Sequence, residues 1–228
     1  MSDYGVTPTV EQRKLLDLHI QLIIEANKVT NLTRIQNFES AQVLHVEDSL
    51  VALPEMLDAP QGCYADIGTG GGFPGIPLAV MTGRTTLLVD SVKKKTQILD
   101  GVIQQLGLGS QVSTFGGRTE ELALQNPQLY AVITARALSS LPSLLELSAP
   151  LLQRNGWLIC YKARPEEQEI AWAQRLEDKL GMRLIRQRNV VLSDLETERV
   201  IFVFEKVADP QVKLPRRPGM AQKRPYTS

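Results

Sequence analysis

The sequence predicts an α/β protein with a mostly parallel, seven-stranded sheet, a terminal antiparallel hairpin and an N-terminal helical extension. Between residues 63 and 181, apolar runs alternate with segments of helical periodicity, and repeated βα units build parallel sheets with helices on both faces. The last two apolar runs, 183–192 and 199–204, are joined by a short polar link. Because that link is too short for a helical crossover, these strands are expected to pair antiparallel.

The N-terminal helical extension is predicted over residues 1–60. Residues 9–30 carry apolar side chains at helical spacing, and a second helix is predicted over about 39–53. Polar side chains at i, i+3 and i+4 share one face of this second helix: His45, Asp48 and Ser49. This face is equally consistent with a hydrogen-bonded cluster beside the sheet and with the lining of a site.

A core domain is predicted over residues 61–206, and a basic, proline-rich tail over 207–228. The predicted strands of the core are 63–67, 85–90, 111–115, 130–134, 156–161, 183–192 and 199–204. Helices are predicted near 98–106 and at 119–125, 140–152 and 165–180. The last helix ends at Gly181, a residue that suits the position after a helix C-terminus.

Length and composition restrict the class of protein. A chain of 228 residues is long enough for one well-packed domain with an appendage. Its 25 basic residues balance 25 acidic ones, so the net charge indicates no particular partner. No apolar stretch approaches a membrane span and no signal peptide is recognisable, so we expect a cytoplasmic protein. Cys63 and Cys160 fall in predicted strands and are expected to be buried free thiols.

Residues 66–77, the most informative stretch of the chain, read Asp-Ile-Gly-Thr-Gly-Gly-Gly-Phe-Pro-Gly-Ile-Pro. They lead from a predicted buried strand into a short helix, and glycines at such a turn allow a ligand to approach the backbone. Asp90 ends the next predicted strand, where nucleotide-type sites place the acid that holds a ribose hydroxyl. The loop and Asp90 together predict an adenosine-containing cofactor.

Prolines in this loop discriminate between cofactors. A pyrophosphate needs free backbone N–H groups at the start of the helix, whereas Pro74 and Pro77 each lack one. S-adenosylmethionine carries no phosphate and therefore fits the loop better than NAD or FAD. Five parallel strands closed by an antiparallel pair are also the architecture of Rossmann-like, class I S-adenosylmethionine-dependent methyltransferases.

Further candidate site residues follow the predicted strands, because open α/β sheets bind ligands at the carboxyl ends of their strands. Asp66 is expected to contact the methionine ammonium, directly or through water, and the alternative is that it caps a helix or braces the loop. Thr119 and Glu120 fall where an adenine edge would lie, or they simply begin a helix. Arg136 is expected on the rim of the site, where an ion pair with Glu120 or Asp66 is the alternative.

Basic segments favour contacts with phosphate groups. Lysines at residues 93–95 begin a predicted helix, where cations oppose the helix dipole, and a phosphate partner or simple solvation would explain them. The tail carries many more basic than acidic residues, and its prolines are expected to hold it extended. Such a tail suits nucleic-acid phosphates, although solubilising tails have a similar composition.

No arrangement typical of metal or base catalysis is recognisable. His19, His45 and the distant cysteines provide no metal-ligand spacing, so no metal is expected. Nothing resembles a nucleophile elbow, and the Asn-Pro-Pro-Tyr type of signature that engages an exocyclic amine is absent after the fourth strand.

The chain resembles the RsmG family, also called GidB or glucose-inhibited division protein B. The most specific matches are the run at 72–77 and His45 with residues 48–50. Further matches follow in order along the chain: 31–33, 90–91, 94–95, 117–121, 136–137, Lys162 and 215–219. One departure is Ala163, where the family usually has glycine after the lysine.

This resemblance implies methylation of N7 of a guanosine in 16S ribosomal RNA, with S-adenosyl-L-methionine as cofactor. It implies that the partner is 16S ribosomal RNA or a small ribosomal subunit precursor. The cofactor contacts that it implies are Gly68, Phe73, Thr119, Glu120 and Arg136. The loop analysis adds Asp66, Gly70 and Asp90. Arg136 and Lys162 are candidates for ordering the site, and no general base is expected. We expect a monomer.

Other functions remain open from the sequence alone. They are a methyltransferase acting on a small molecule or protein, a nicotinamide-dependent oxidoreductase, and a non-catalytic nucleotide-binding subunit. Calorimetry with S-adenosylmethionine and NAD separates the oxidoreductase from the methyltransferases. The sequence leaves the exact target nucleotide open, as well as the choice between naked RNA and a ribosomal particle.

Overall fold

The computed structural model describes residues 7–28, 30, 32–33, 35 and 37–227. Asn31, within one of the matched family segments, lies outside the described residues. The described strands are β1 (Tyr64–Ile67), β2 (Thr86–Asp90), β3 (Val112–Gly116), β4 (Tyr130–Arg136), β5 (Leu152–Lys162), β6 (Met182–Val191) and β7 (Glu198–Lys206). The described helices are α1 (Val10–Asn27), α2 (Phe38–Ala41), α3 (Asp48–Leu50), α4 (Leu53–Asp58), α5 (Gly75–Thr82), α6 (Lys93–Gln105), α7 (Thr119–Gln125), α8 (Leu141–Ser148), α9 (Glu167–Arg175), α10 (Glu177–Leu180) and α11 (Met220–Lys223).

The seven strands form one sheet in the order β3-β2-β1-β4-β5-β7-β6. Pairing is parallel from β3 to β5, whereas β7 runs antiparallel to both β5 and β6. The predicted fold class, with its terminal hairpin, is therefore confirmed. Strand order reverses between β1 and β4, because the chain builds outward from β1 through β2 and β3 before it returns to β4.

Two apolar cores sandwich the sheet. One core joins α1 and α4 to α5, α6 and the sheet, with Leu16, Ile20 and Met56 among its buried side chains. The other core joins the opposite face of the sheet to α8, α9 and the end of the chain, including Ala221. The segments on either side of the predicted core domain pack into the same two apolar cores as the domain itself. The predicted domain boundaries near residues 60 and 206 therefore stay a prediction.

The predicted second helix, about 39–53, is wrong as one continuous element. The chain forms α2, then a π-helical turn at Gln42–Glu47, then α3, and starts α4 after a break at 51–52. Pro54 lies in the first turn of α4, where its missing N–H is tolerated but where it cannot continue an earlier helix. Within the polar face predicted for this segment, the hydroxyl of Ser49 donates a hydrogen bond to the backbone carbonyl of His45 at 2.5 Å.

The observed ends of two other helices and one strand differ from the predicted ones, for reasons found in the local sequence. The helix predicted at 140–152 ends at Ser148, close to Pro150, and β5 begins earlier than expected, at Leu152. The helix predicted at 165–180 divides into α9 and α10 and ends as expected at Gly181, whose φ is 65°. Left-handed backbone of this kind favours glycine.

The tail is the largest departure from the sequence-based expectation. Residues 207–227 do not extend into solvent; Val212, Leu214 and Tyr226 pack against the second core. Arg216 makes two hydrogen bonds to the buried carboxylate of Glu146, at 2.5 and 2.6 Å. The abundance of proline and basic residues obscured these apolar anchors in the sequence.

Candidate active site

A cleft of about 270 Å³ opens at the carboxyl ends of β1, β2 and β3, and we refer to it as the first cleft. It lies beside the point where strand order reverses, which is where open α/β sheets bind ligands. The first cleft is lined by Gly68, Gly70, 89–92, Lys95, 117–120, Ala137, Leu138, Leu147 and Gln222.

The glycine loop between β1 and α5 forms one wall of the first cleft. Gly68 and Gly70 both have positive φ, 71° and 58°. A Cβ on Gly68 would lie 2.7 Å from a methyl carbon of Leu138, whereas a Cβ on Gly70 would meet nothing within 4 Å. The first glycine is therefore required by packing, and the second leaves the backbone open to a ligand.

Asp90, at the end of β2, is held in a fixed orientation at the first cleft. Its carboxylate accepts hydrogen bonds from the backbone N–H of Gly70, at 3.1 Å, and of Val92, at 2.9 Å. The ammonium of Lys95 lies 3.9 Å from the same carboxylate, so the third lysine of the 93–95 run faces the cleft. Lys93 and Lys94 are exposed.

The segment between β3 and α7, together with the first turn of α7, forms the opposite wall. Thr119 and Glu120 line the cleft and are largely buried. One carboxylate oxygen of Glu120 accepts a hydrogen bond from the backbone N–H of Gly219 at 2.6 Å. The side chain of Arg118 donates to the side-chain oxygen of Gln222 at 3.2 Å. The end of the chain thus contributes to this wall, which the sequence did not indicate.

Asp66 lies beneath the loop and does not line the first cleft. It is fully buried, and accepts hydrogen bonds from the N–H of Gly75 at 3.0 Å and the hydroxyl of Thr134 at 2.7 Å. Burial raises the pKa of Asp66 to about 6, opposed by these hydrogen bonds. These hydrogen bonds agree with the alternative, a carboxylate that braces the loop, and the predicted contact with a methionine ammonium, directly or through water, stays a prediction.

Phe73 also points away from the first cleft. Its ring stacks between the imidazoles of His19 and His45, with centroid distances of 4.2 and 4.4 Å. The Nε2 atom of His19 lies 2.9 Å from the carbonyl oxygen of Gly71. Burial lowers the pKa of His19 to about 3 and that of His45 to about 4. Both imidazoles are therefore neutral at neutral pH, and the stack joins the glycine loop to the N-terminal helices.

A second cleft, of about 300 Å³, lies between the N-terminal helices and the ends of β4 and β5. It is lined by Leu44, His45, Asp48, Arg136, Ala137, Ser139, Leu144, 161–163 and Arg199. Ala163, the departure from the family pattern, is among these residues.

Arg136 lines the second cleft and not the first. Its guanidinium donates to the carboxylate of Asp48 at 2.8 Å, and Arg199 binds the same carboxylate at 2.8 and 3.1 Å. The sequence suggested Glu120 or Asp66 as the ion-pair partner of Arg136. In the structure the partner is instead Asp48 in α3, which lies closer. Arg136 thus lies in the cleft that adjoins the first one, and the cofactor contact that the resemblance implied for it stays a prediction.

Lys162 brings a further cation to the second cleft. Its ammonium lies 2.7 Å from the carboxylate of Glu169 and donates to the carbonyl of Ser139 at 3.2 Å. The same carboxylate accepts a hydrogen bond from the N–H of Leu141 at the start of α8. These contacts hold the loops after β4 and β5 together around the cleft.

Ala137 lines both clefts, so the clefts adjoin at this residue. Its φ of 53° lies in the left-handed region, which is uncommon for a residue with a side chain. Strain of this kind persists where the surrounding structure holds it and clusters at functional sites. The two clefts thus meet at the small side chain of Ala137.

Two features are absent from the part of the chain that the structure describes, a metal-ligand cluster and a helix that could span a membrane. Within it, no three histidine, cysteine, aspartate or glutamate side chains are grouped so as to hold a metal ion. No helix there has both the length and the apolar character needed to cross a membrane.

Solved structures with similar folds include an O-methyltransferase from Bacillus cereus in complex with SAH, which is 16% identical with a TM-score of 0.59. The match covers 82% of this chain and 90% of that one. The [4+2]-cyclase SpnF is also similar, at 14% identity and a TM-score of 0.60, over 90% of this chain and 98% of that one. Since a cyclase shares this fold, the fold alone does not determine the reaction.

Sequence comparisons are more specific. The family model GidB, described as rRNA small subunit methyltransferase G, matches residues 12–198. A ribosomal RNA small subunit methyltransferase G from Carboxydothermus hydrogenoformans is 34% identical over 227 residues, 98% of this chain and 96% of the relative. One from Alkaliphilus metalliredigens is 34% identical over 207 residues, 90% of this chain and 86% of the relative. The chain belongs to the GidB family of rRNA small subunit methyltransferase G proteins.

Proposed function

We propose that this chain methylates N7 of a guanosine in 16S ribosomal RNA, with S-adenosylmethionine as cofactor. The observation that carries the proposal is the pair of clefts that adjoin at Ala137 in a member of this family. One cleft suits an adenosine-containing cofactor, and the other offers cations and a neutral imidazole around a space for a base.

The residues of the first cleft fit S-adenosylmethionine. Gly70 leaves room for a ligand against the loop, and Asp90 presents an oriented carboxylate where a ribose would lie. Gly68, Thr119 and Glu120 complete the walls. When bound, the cofactor supplies an electrophilic methyl group on a sulfonium. The protein's contribution is to orient both reactants and to exclude water.

In the second cleft, Arg136, Lys162 and Arg199 provide cations that suit the oxygen of a guanine or a neighbouring phosphate. N7 of guanine has a lone pair and carries no proton, so no residue of the cleft needs to remove one. This agrees with His45, whose pKa of about 4 makes it a weak base. Lys162 and Arg136 act as ordering residues.

We further propose that the chain acts in the cytoplasm as a monomer, on 16S ribosomal RNA or a small-subunit precursor. Mass mapping of 16S ribosomal RNA from a strain lacking the gene tests the target. A missing guanosine methyl group that the wild-type gene restores, and an Asp90→Ala gene does not, supports the proposal. An intact methylation pattern in the deletion strain would favour a small molecule or protein as substrate.

Replacing Asp90 with alanine is expected to weaken S-adenosylmethionine binding about tenfold or more, because a charge-assisted hydrogen bond contributes roughly 1.5–3 kcal/mol. Calorimetry on the purified protein measures the effect. Asp100→Ala is a matched control, since Asp100 is an exposed α6 carboxylate that accepts from Thr114 and lines neither cleft. Equal affinities in the two variants would contradict the role of Asp90.

The single-turnover rate is expected to be nearly flat from about pH 6.5 to about 9, because the proposed nucleophile needs no general base. Rapid-quench measurements at saturating cofactor test this. A tenfold rise per pH unit over this range, abolished by His45→Asn or by loss of one carboxylate, would show that a base is used and that N7 is not the target.

A further inference from the structure

The end of the chain makes contacts at the wall of the first cleft. Residues 215–224, which we refer to as the C-terminal segment, include α11 and cross the wall of the first cleft. The segment bears basic residues and makes polar contacts to other parts of the chain. These contacts fall into two groups, one that anchors the segment and one that touches the cleft.

The anchor is the ion pair between Arg216 and Glu146 of α8. Glu146 is 2% exposed, and both of its carboxylate oxygens bind the guanidinium, at 2.5 and 2.6 Å. Arg216 also lies over the ring of Tyr226, 4.2 Å from its centroid. Neither Arg216 nor Glu146 lines the first cleft. The anchor therefore affects the cleft only by holding the segment in place.

The contacts at the cleft are made by Gly219 and Gln222. The N–H of Gly219, which has a φ of 81°, donates to Glu120, and Gln222 accepts from Arg118 while lining the cleft itself. Glu120 is 5% exposed, so the Gly219 N–H satisfies part of a carboxylate that has little access to water. Without the segment, this carboxylate would lose a donor and the wall would lose its outer part.

We propose that two residues of the C-terminal segment, Gly219 and Gln222, complete the cofactor site, with Gln222 as a positioning residue at the nucleoside half. This inference rests on the proposed binding of S-adenosylmethionine in the first cleft. Glu120 lines that cleft and also accepts a hydrogen bond from the segment. Packing of the segment against the protein and binding of the cofactor therefore stabilise each other. Such coupling is reciprocal: each event strengthens the other by the same factor.

The decisive variant is Arg216→Ala, which removes the anchor without changing a residue of the cleft. We expect S-adenosylmethionine to bind it about three- to tenfold more weakly, the range for a lost hydrogen-bonded contact. Arg217→Ala is the matched control, because Arg217 is the next residue, carries the same charge and is exposed. Equal affinities in folded Arg216→Ala and Arg217→Ala proteins would overturn the proposal.

A second variant tests Gln222 directly. Gln222→Ala is expected to weaken S-adenosylmethionine and 5′-methylthioadenosine by the same factor, about threefold, because both ligands contain the nucleoside. Unchanged binding of methylthioadenosine would overturn the assignment of Gln222 to the nucleoside half. Lys223→Ala, one residue further along α11 and outside the cleft lining, is expected to bind both ligands normally.

Hydrogen exchange on the wild-type protein needs no variant and covers the case in which Arg216→Ala does not fold. S-adenosylmethionine is expected to slow exchange of the Gly219 amide and of the amides in α11 at least threefold. Exchange that is unaffected by saturating cofactor would overturn the coupling. A wild-type protein that does not bind S-adenosylmethionine would instead contradict the proposed function, so the two failures are distinguishable.

Discussion

Replacing Arg136 with alanine is expected to slow methyl transfer about 100-fold while leaving S-adenosylmethionine affinity within about twofold, because small misplacements of reacting groups reduce rates by such factors. Arg136 lines the second cleft and binds Asp48, which is 2% exposed. Its loss leaves Asp48 with Arg199 as its remaining cation at bonding distance. The acceptor side of the site should therefore lose its shape, while the cofactor side is preserved.

Single-turnover rates and calorimetric affinities, both measured on the same preparation, separate these effects. Arg183→Ala is a suitable control, because Arg183 is exposed on β6 and lines neither cleft. Thermal melts identify any general loss of folding. If Arg136→Ala binds the cofactor tenfold more weakly but reacts normally at saturation, Arg136 belongs to the cofactor site, as the resemblance implied.

Replacing His19 with asparagine is expected to reduce the acid sensitivity of the fold. The pKa of His19 is lowered to about 3, so between that pH and its ordinary value near 6.5 the unfolded chain binds a proton that the folded chain does not. The wild type therefore loses up to about 1.4 kcal/mol of stability per pH unit as the pH falls below about 6.5. Asparagine does not titrate and removes this contribution.

Urea unfolding between pH 7.5 and 4.5, as a rough experimental window, measures the difference in slope. Asp66 acts in the opposite direction, because its pKa is raised to about 6 and the folded chain binds its proton first. That contribution is present in both proteins and cancels when they are compared. Identical slopes for wild type and His19→Asn would show that the pKa of His19 is the same in the folded and the unfolded chain, and would contradict its lowering by burial.

The sequence predicted the elements of the first cleft because they depend on local order. Gly68, Gly70, Asp90, Thr119 and Glu120 each follow a parallel strand, and parallel strands place such residues at one edge of the sheet. The loop conformation follows from the glycines themselves. The order of strands along the chain was therefore sufficient to predict that these residues lie together at the first cleft.

The second cleft was not predictable in this way. Asp48 and Arg199 are separated by 151 residues, and nothing in either local pattern indicates that they meet. His45 and Asp48, which were predicted to share a helix face, do line the second cleft together, although a π-helical turn spans Gln42–Glu47. Gln222 was missed for the same reason, since a proline-rich segment gives no periodic signal for packing. Partners brought together only by tertiary contacts leave little trace in a single sequence.

The order of the last strands has a consequence for synthesis of the chain. β7 is made after β6 but lies between β5 and β6 in the sheet. Until residues 198–206 have emerged from the ribosome, β5 has an unpaired edge, and β6 lacks its only partner within the described sheet. Exposed edges of this kind recruit other strands. Chains that stall before residue 198 are thus expected to aggregate more readily than chains that have completed β7.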